Sequence, residues 1–86
     1  MKVRAVFFAS LREAVDNDVL DLDIDDGANL ADLRRCLAAR LRADQMAAID
    51  AADVRVAVNR RLIHDGDESV LAAGDEVAFM PPVTGG

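Results

Sequence analysis

The spacing of apolar and polar residues changes along the chain, and each change marks an element. From Lys2 to Phe8, Val3, Ala5 and Phe7 stand against Arg4 and Val6, and β-branched and aromatic residues dominate, which predicts a first strand. Ser10 is placed to cap a short helical turn through Leu11–Val15, and Asp16-Asn17 reads as the turn that follows. Between Asp18 and Ile24 the alternation is strict: Leu20, Leu22 and Ile24 face one side, Asp21 and Asp23 the other, as in a strand with one buried face and one wet face. Asn29 and Asp32 then open a helix whose stripe is Leu30, Leu33, Leu37 and Leu41. Ala43 to Asp53 is alanine-rich and reads as an irregular or helical connection. Val54 and Arg55–Asn59 predict a third strand, Asn59-Arg60-Arg61 a turn, and Leu62-Ile63 a short hairpin partner. Gly66 breaks the pattern and Val70-Leu71 anchors the loop. Gly74-Asp75 turns the chain into a last strand, Glu76–Met80, which Pro81 ends.

The order strand, strand, helix, strand, short strand, strand is that of an α+β, β-grasp (ubiquitin-like) fold. It predicts a mixed sheet of about five strands covered by one main helix, with the first and last strands side by side in parallel. A β-grasp domain over residues 1–80 is expected, followed by an extended, flexible tail over 81–86.

Composition narrows the picture. A chain of 86 residues holds one domain, and with 52% apolar residues, three Phe and neither Trp nor Tyr, its core must be built mainly from Leu, Val, Ile, Ala and Phe. A formal charge of -6 and scattered basic residues argue against a nucleic-acid partner, which needs clustered Lys and Arg. Arg60-Arg61, the one short basic pair, reads as a solvated turn. The single cysteine excludes an intramolecular disulfide. No apolar run reaches the ~18 residues of a membrane span, and the first strand follows Met1 so closely that no targeting segment is expected. The expectation is a cytoplasmic protein without a membrane partner.

Most residues that carry chemistry have bland readings. His64, the only histidine, has no nucleophile at triad spacing and reads as an exposed loop residue. The aspartates of 21–26 fall on a solvent face without calcium-loop spacing, so no metal is expected. Cys36 lies on the flank of the leucine stripe and reads as a packed, inert thiol. Arg34, Arg35, Arg40 and Arg42 read as solvated flank. The end of the sequence is different. Pro81-Pro82-Val83-Thr84-Gly85-Gly86 follows directly on the last strand, with no charged or bulky residue. Prolines stiffen the root, and six extended residues reach at most ~20 Å. Glycine has no Cβ, so a Gly-Gly end passes a narrow channel and leaves its carboxylate open to activation.

Phe7-Phe8-Ala9 with Leu11-Arg12-Glu13, Val58-Asn59, and Gly74–Phe79 running into Pro81–Gly86 together resemble the molybdopterin synthase small subunits, a ubiquitin-like sulfur-carrier family. The resemblance covers essentially the whole chain and is weakest from Ala43 to Asp53. It implies that an activating enzyme, a ubiquitin-activating-like adenylyltransferase, uses ATP and magnesium to adenylate the Gly86 carboxylate, and that a sulfur donor protein supplies sulfur to form a thiocarboxylate. It further implies that the tail, Pro81, Pro82, Val83, Thr84 and Gly85, enters the large synthase subunit within a heterotetramer. There Gly86 donates sulfur to cyclic pyranopterin monophosphate, two carriers serving each pterin. The chain would thus be the sulfur-donor subunit of a sulfurtransferase, not catalytic alone and binding no cofactor of its own. Phe8, Leu62 and Met80 are the implied apolar docking residues and Arg12 a polar contact, with Met80 standing where the family commonly has an aromatic. A thiamine-thiazole sulfur carrier and a ubiquitin-like protein modifier share the same activated glycine and stay open as alternatives.

Overall fold

The computed structural model describes residues 1–64 and 66–82. In chain order the elements are β1 (Lys2–Phe7), α1 (Ala9–Val15), β2 (Val19–Asp23), α2 (Leu30–Arg40), α3 (Ala43–Ile49), β3 (Arg55–Val58), β4 (Arg61–Ile63) and β5 (Glu76–Met80). The strands form one mixed sheet in the order β2-β1-β5-β3-β4, in which β1 and β5 are parallel and every other pair antiparallel. This is the β-grasp arrangement that the element order predicts. β5 lies in the middle, paired on both sides, and its run Val77-Ala78-Phe79 is buried throughout, as a central strand requires.

Register sorts the side chains. Ala5 pairs with Val77, Phe7 with Phe79, Phe79 with Val56, and Val3 with Leu22, so these residues share one face. All are buried, and the rings of Phe7 and Phe79 stack at 5.6 Å between centroids with 17° between planes. Each such ring contributes ~1.5–3 kcal/mol on leaving water. The helices cover this face. Leu33 and Leu37 of α2 and Ile49 of α3 are fully buried in the same core, while Leu30 and Leu41 pack at its margin. α2 starts on a capping box: the Asn29 side chain accepts from the Asp32 N–H at 3.1 Å, and the Asp32 carboxylate accepts from the Asn29 N–H at 3.0 Å.

The structure decides one local expectation and corrects others. The connection from Ala43, expected to be irregular or helical, is helical over α3, and Gln45, although buried, has its polar atoms occupied. Its Oε1 accepts from the Arg42 N–H at 2.8 Å, and its Nε2 donates to the carbonyls of Val15 at 3.1 Å and Ala14 at 3.3 Å. One glutamine thus closes the start of α3 and the end of α1. Ser10 is not a cap. α1 begins at Ala9 with Phe8 in the cap position and no side-chain cap bond, because the chain reverses at Ala9, whose φ of 52° lies in the left-handed region. The β3–β4 turn is tighter than expected. Asn59 and Arg60 alone form it, with φ of 50° and 69°, and Arg61 already belongs to β4. Arg34 is not solvated flank: it pairs with Asp50 at 2.5 Å, and its guanidinium lies 5.5 Å from the Phe79 ring centre. Arg40 donates to the Asp21 carbonyl at 2.8 Å, on the free edge of β2.

Asn59 also links distant parts of the sheet. Its Nδ2 donates to Asp75 Oδ1 at 2.9 Å, and its Oδ1 accepts from the Glu76 N–H at 3.0 Å. Gly74 turns the chain at φ 85° and donates its N–H to the Lys2 carbonyl at 2.7 Å. The Val58-Asn59 and Gly74-Asp75-Glu76 stretches therefore fix the start of β5 against β3 and β1.

Candidate functional site at the tail exit

Strand alternation that buries one face presents the other. Val19, Val6, Ala78, Ala57 and Leu62 pair in series across β2, β1, β5, β3 and β4 and form one apolar row over the uncovered face of the sheet. Leu62 is 64% exposed and Val19 36%. Ala57 and Ala78 are small and buried between them, so the row has raised ends and a low floor. No helix crosses this face among the described residues.

The rows on either side differ. Toward the start of β5, Asp21, Arg4 and Glu76 pair in register, Arg4 Nε lying 3.3 Å from Asp21 Oδ1, so charges neutralise one another. Beyond them Lys2 and the Met1 amine both meet Asp23, whose carboxyl is held below its ordinary pKa by the hydrogen bond from that amine and by the charge of Lys2. Toward the end of β5, Met80 stands opposite Arg55, and Phe8 continues the β1–β5 ladder by donating its N–H to the Phe79 carbonyl at 3.1 Å. Phe8 is 46% exposed and Met80 half-buried. Arg12, on the α1 turn after Phe8, is exposed at the same end of the sheet. Among the described residues no carboxylate lies within ion-pair distance of Arg12 or Arg55.

The chain leaves the sheet at this end. Pro81 is half-buried and Pro82 exposed, both on the rim of a groove of ≈ 1240 Å³ that also touches Leu30, Arg34, Leu62 and Met80. Val83, Thr84, Gly85 and Gly86, which carry the expected acyl chemistry, lie outside the described residues. Phe8, Met80 and Pro81 are thus brought together at the tail's root, and Leu62 shares their face on the outer strand β4.

Over residues 5–86 the sequence matches the model of the ThiS family. The chain belongs to the ThiS family. It is 39% identical over 85 residues to the molybdopterin synthase sulfur carrier subunit of Haemophilus influenzae, covering 98% of this chain and 99% of that protein. It is 34% identical to the small archaeal modifier protein 3 of Haloferax volcanii, covering all of both chains. The solution structure of the HVO 2177 protein of Haloferax volcanii superposes with a TM-score of 0.78 at 34% identity, covering 100% of this chain and 87% of that one.

Family membership leaves the surface to be read from this chain's own residues. Val6, Val19, Ala57 and Ala78 belong to the open apolar row, and sequence reasoning passed over them. The signal was present in β1 and β5, where Val6 and Ala78 make both faces of the strand apolar. Cys36 is half-buried against the core and His64 is exposed. Among the described residues no cluster of His, Cys, Asp or Glu is arranged to hold a metal, and no helix is long and apolar enough to cross a membrane.

Proposed function

We propose that this chain is the sulfur-carrier subunit of a molybdopterin synthase and that Gly86 is its working residue. One observation carries the reading: a tail ending in Gly-Gly springs from the central strand beside an uncovered apolar face, in a chain similar along its length to proteins of that name. The face docks and the tail reaches. Phe8, Met80 and Leu62 bury against a partner, Arg12 meets an acidic group there, and Pro81-Pro82 directs Val83, Thr84, Gly85 and Gly86 into the partner's active site.

A carboxylate is a poor acyl electrophile until one oxygen becomes a leaving group. An adenylating partner using ATP and magnesium supplies that group as AMP, and a sulfur donor then replaces it to leave a thiocarboxylate at Gly86. Inside the large synthase subunit this soft nucleophile passes sulfur to cyclic pyranopterin monophosphate, the partner providing the acid and base groups absent from this chain. The similarity to the small archaeal modifier protein 3 supports a second reading, a protein modifier, in which a lysine amine attacks the same activated carbonyl.

The test is the intact mass of the chain before and after incubation with ATP, magnesium, its adenylating partner and a sulfur source, beside a variant lacking Gly86. Replacement of one oxygen by sulfur in the full chain alone is the expected result. An unchanged mass under conditions that load another carrier removes the proposal, and branched conjugates with other proteins favour the modifier reading.

A further inference from the structure

Of the ten basic residues nine are arginine, and Lys2 is the only lysine. Acyl transfer separates these cations sharply. A lysine amine becomes a nucleophile when it loses its proton, whereas guanidinium stays protonated wherever the protein is folded. The Met1 amine is the other candidate, but it donates to Asp23 Oδ1 at 3.2 Å and to the Ile24 carbonyl at 2.6 Å. Cys36, a comparable nucleophile, is half-buried against the core. Lys2 is 77% exposed, and its Nζ lies 3.6 Å from an exposed Asp23 oxygen, a solvated pair that holds the amine loosely.

Position matters as much as chemistry. Lys2 stands on the open face in the alternation Lys2, Arg4, Val6, at the end of β1 away from Phe8. Because β1 and β5 run parallel, that is the end of the sheet the tail does not leave from. Lys2 and Phe8 are separated by ~20 Å of strand, the full reach of the tail from Met80 to Gly86. To acylate its own Lys2 the tail must run straight back over the sheet at full stretch. Lys2 of a second copy imposes no such demand.

We propose that Lys2 is the one side-chain site at which this chain is acylated by an activated copy of itself, and that its arginine-built surface confines self-linkage to that position. This rests on the reading that the Gly86 carboxylate is activated as an adenylate. The neutral Lys2 amine attacks the Gly86 carbonyl carbon of the second copy, and the C–N bond forms. The C–O bond to the phosphate breaks, AMP leaves with the electron pair, and one amine proton passes to solvent.

The experiment uses the full chain with ATP, magnesium and its adenylating partner, without a sulfur source, in the presence and absence of hydroxylamine. Hydroxamate formation reports activation independently of linkage. The expected result without hydroxylamine is a denaturant-stable dimer with a branched peptide at Lys2. Lys2→Arg should abolish the dimer and leave hydroxamate formation unchanged. Hydroxamate without dimer, a dimer that survives Lys2→Arg, or a branch at another residue overturns the Lys2 proposal alone. Absence of hydroxamate overturns the activation reading and this proposal with it.

Discussion

Phe7 and Phe79 are buried under the helices, while Phe8, adjacent to Phe7 in the chain, stands nearly half exposed on the other side of the sheet. The covered face closes through residues of the same chain: Leu33, Leu37 and Ile49 complete it, and Gln45 satisfies the carbonyls at its margin. The open face has an apolar row of similar chemistry and, among the described residues, no such cover. Side chains of one kind therefore serve two ends. Those the helices reach hold the fold together, and those they leave bare are available to another molecule.

The strongest way to break this contrast is to truncate one ring on each face. Phe79→Ala should cost ~3–5 kcal/mol, a large share of the ~5–15 kcal/mol that a domain has, and should lower the urea midpoint sharply. Phe8→Ala should cost under ~1 kcal/mol of stability and weaken capture by the large synthase subunit or the adenylating partner about 10-fold or more. Equal losses of stability from the two variants would show that the faces do not divide the work.

Gln45→Ala sharpens the covered side. It strips the partner from two carbonyls and one N–H at the α1–α3 junction and should cost ~1–3 kcal/mol, read from the same denaturation curves. The corner between the faces is the next probe. Ala9 holds a left-handed φ to turn the chain from Phe8 into α1, so Ala9→Gly should stabilise by up to ~1 kcal/mol, visible as a raised melting temperature with partner capture unchanged.

The smallest effect concerns pH. The Asp32 carboxyl is held below its ordinary pKa of 3.8 by the Asn29 N–H and then by Arg35, so its contribution is complete above 3.8 and fades as pH falls through the lower folded value. Asp32→Asn should therefore lower the urea midpoint slightly at neutral pH and converge with the parent below pH 3.8. A gap that persists or widens in acid would contradict the capping-box origin of the shift.

The mixed sheet and the parallel pairing of its first and last strands were legible because β2 alternates cleanly and because β1 and β5 are apolar enough to sit side by side. α2 was legible from Asn29, Asp32 and the leucine spacing. α3 was not, since alanine has no face preference and the decisive residue, Gln45, declares itself only when the end of α1 is brought beside it. Ser10 misled because local capping preference yielded to the reversal at Ala9. For the candidate site, the tail and three apolar anchors could be named from the family resemblance. The complete row could not, because Ala57, Ala78 and Val19 become neighbours only through strand register.

The central place of β5 has a consequence for how the protein is made. β1 is translated before the other strands of the sheet, yet its parallel neighbour β5 comes after all of them, and β3 waits for the same partner. The sheet cannot close until β5 is made, and such distant pairing is slow. A product that stops within Glu76–Met80 loses the middle strand, and with it the pairing that joins β2-β1 to β3-β4.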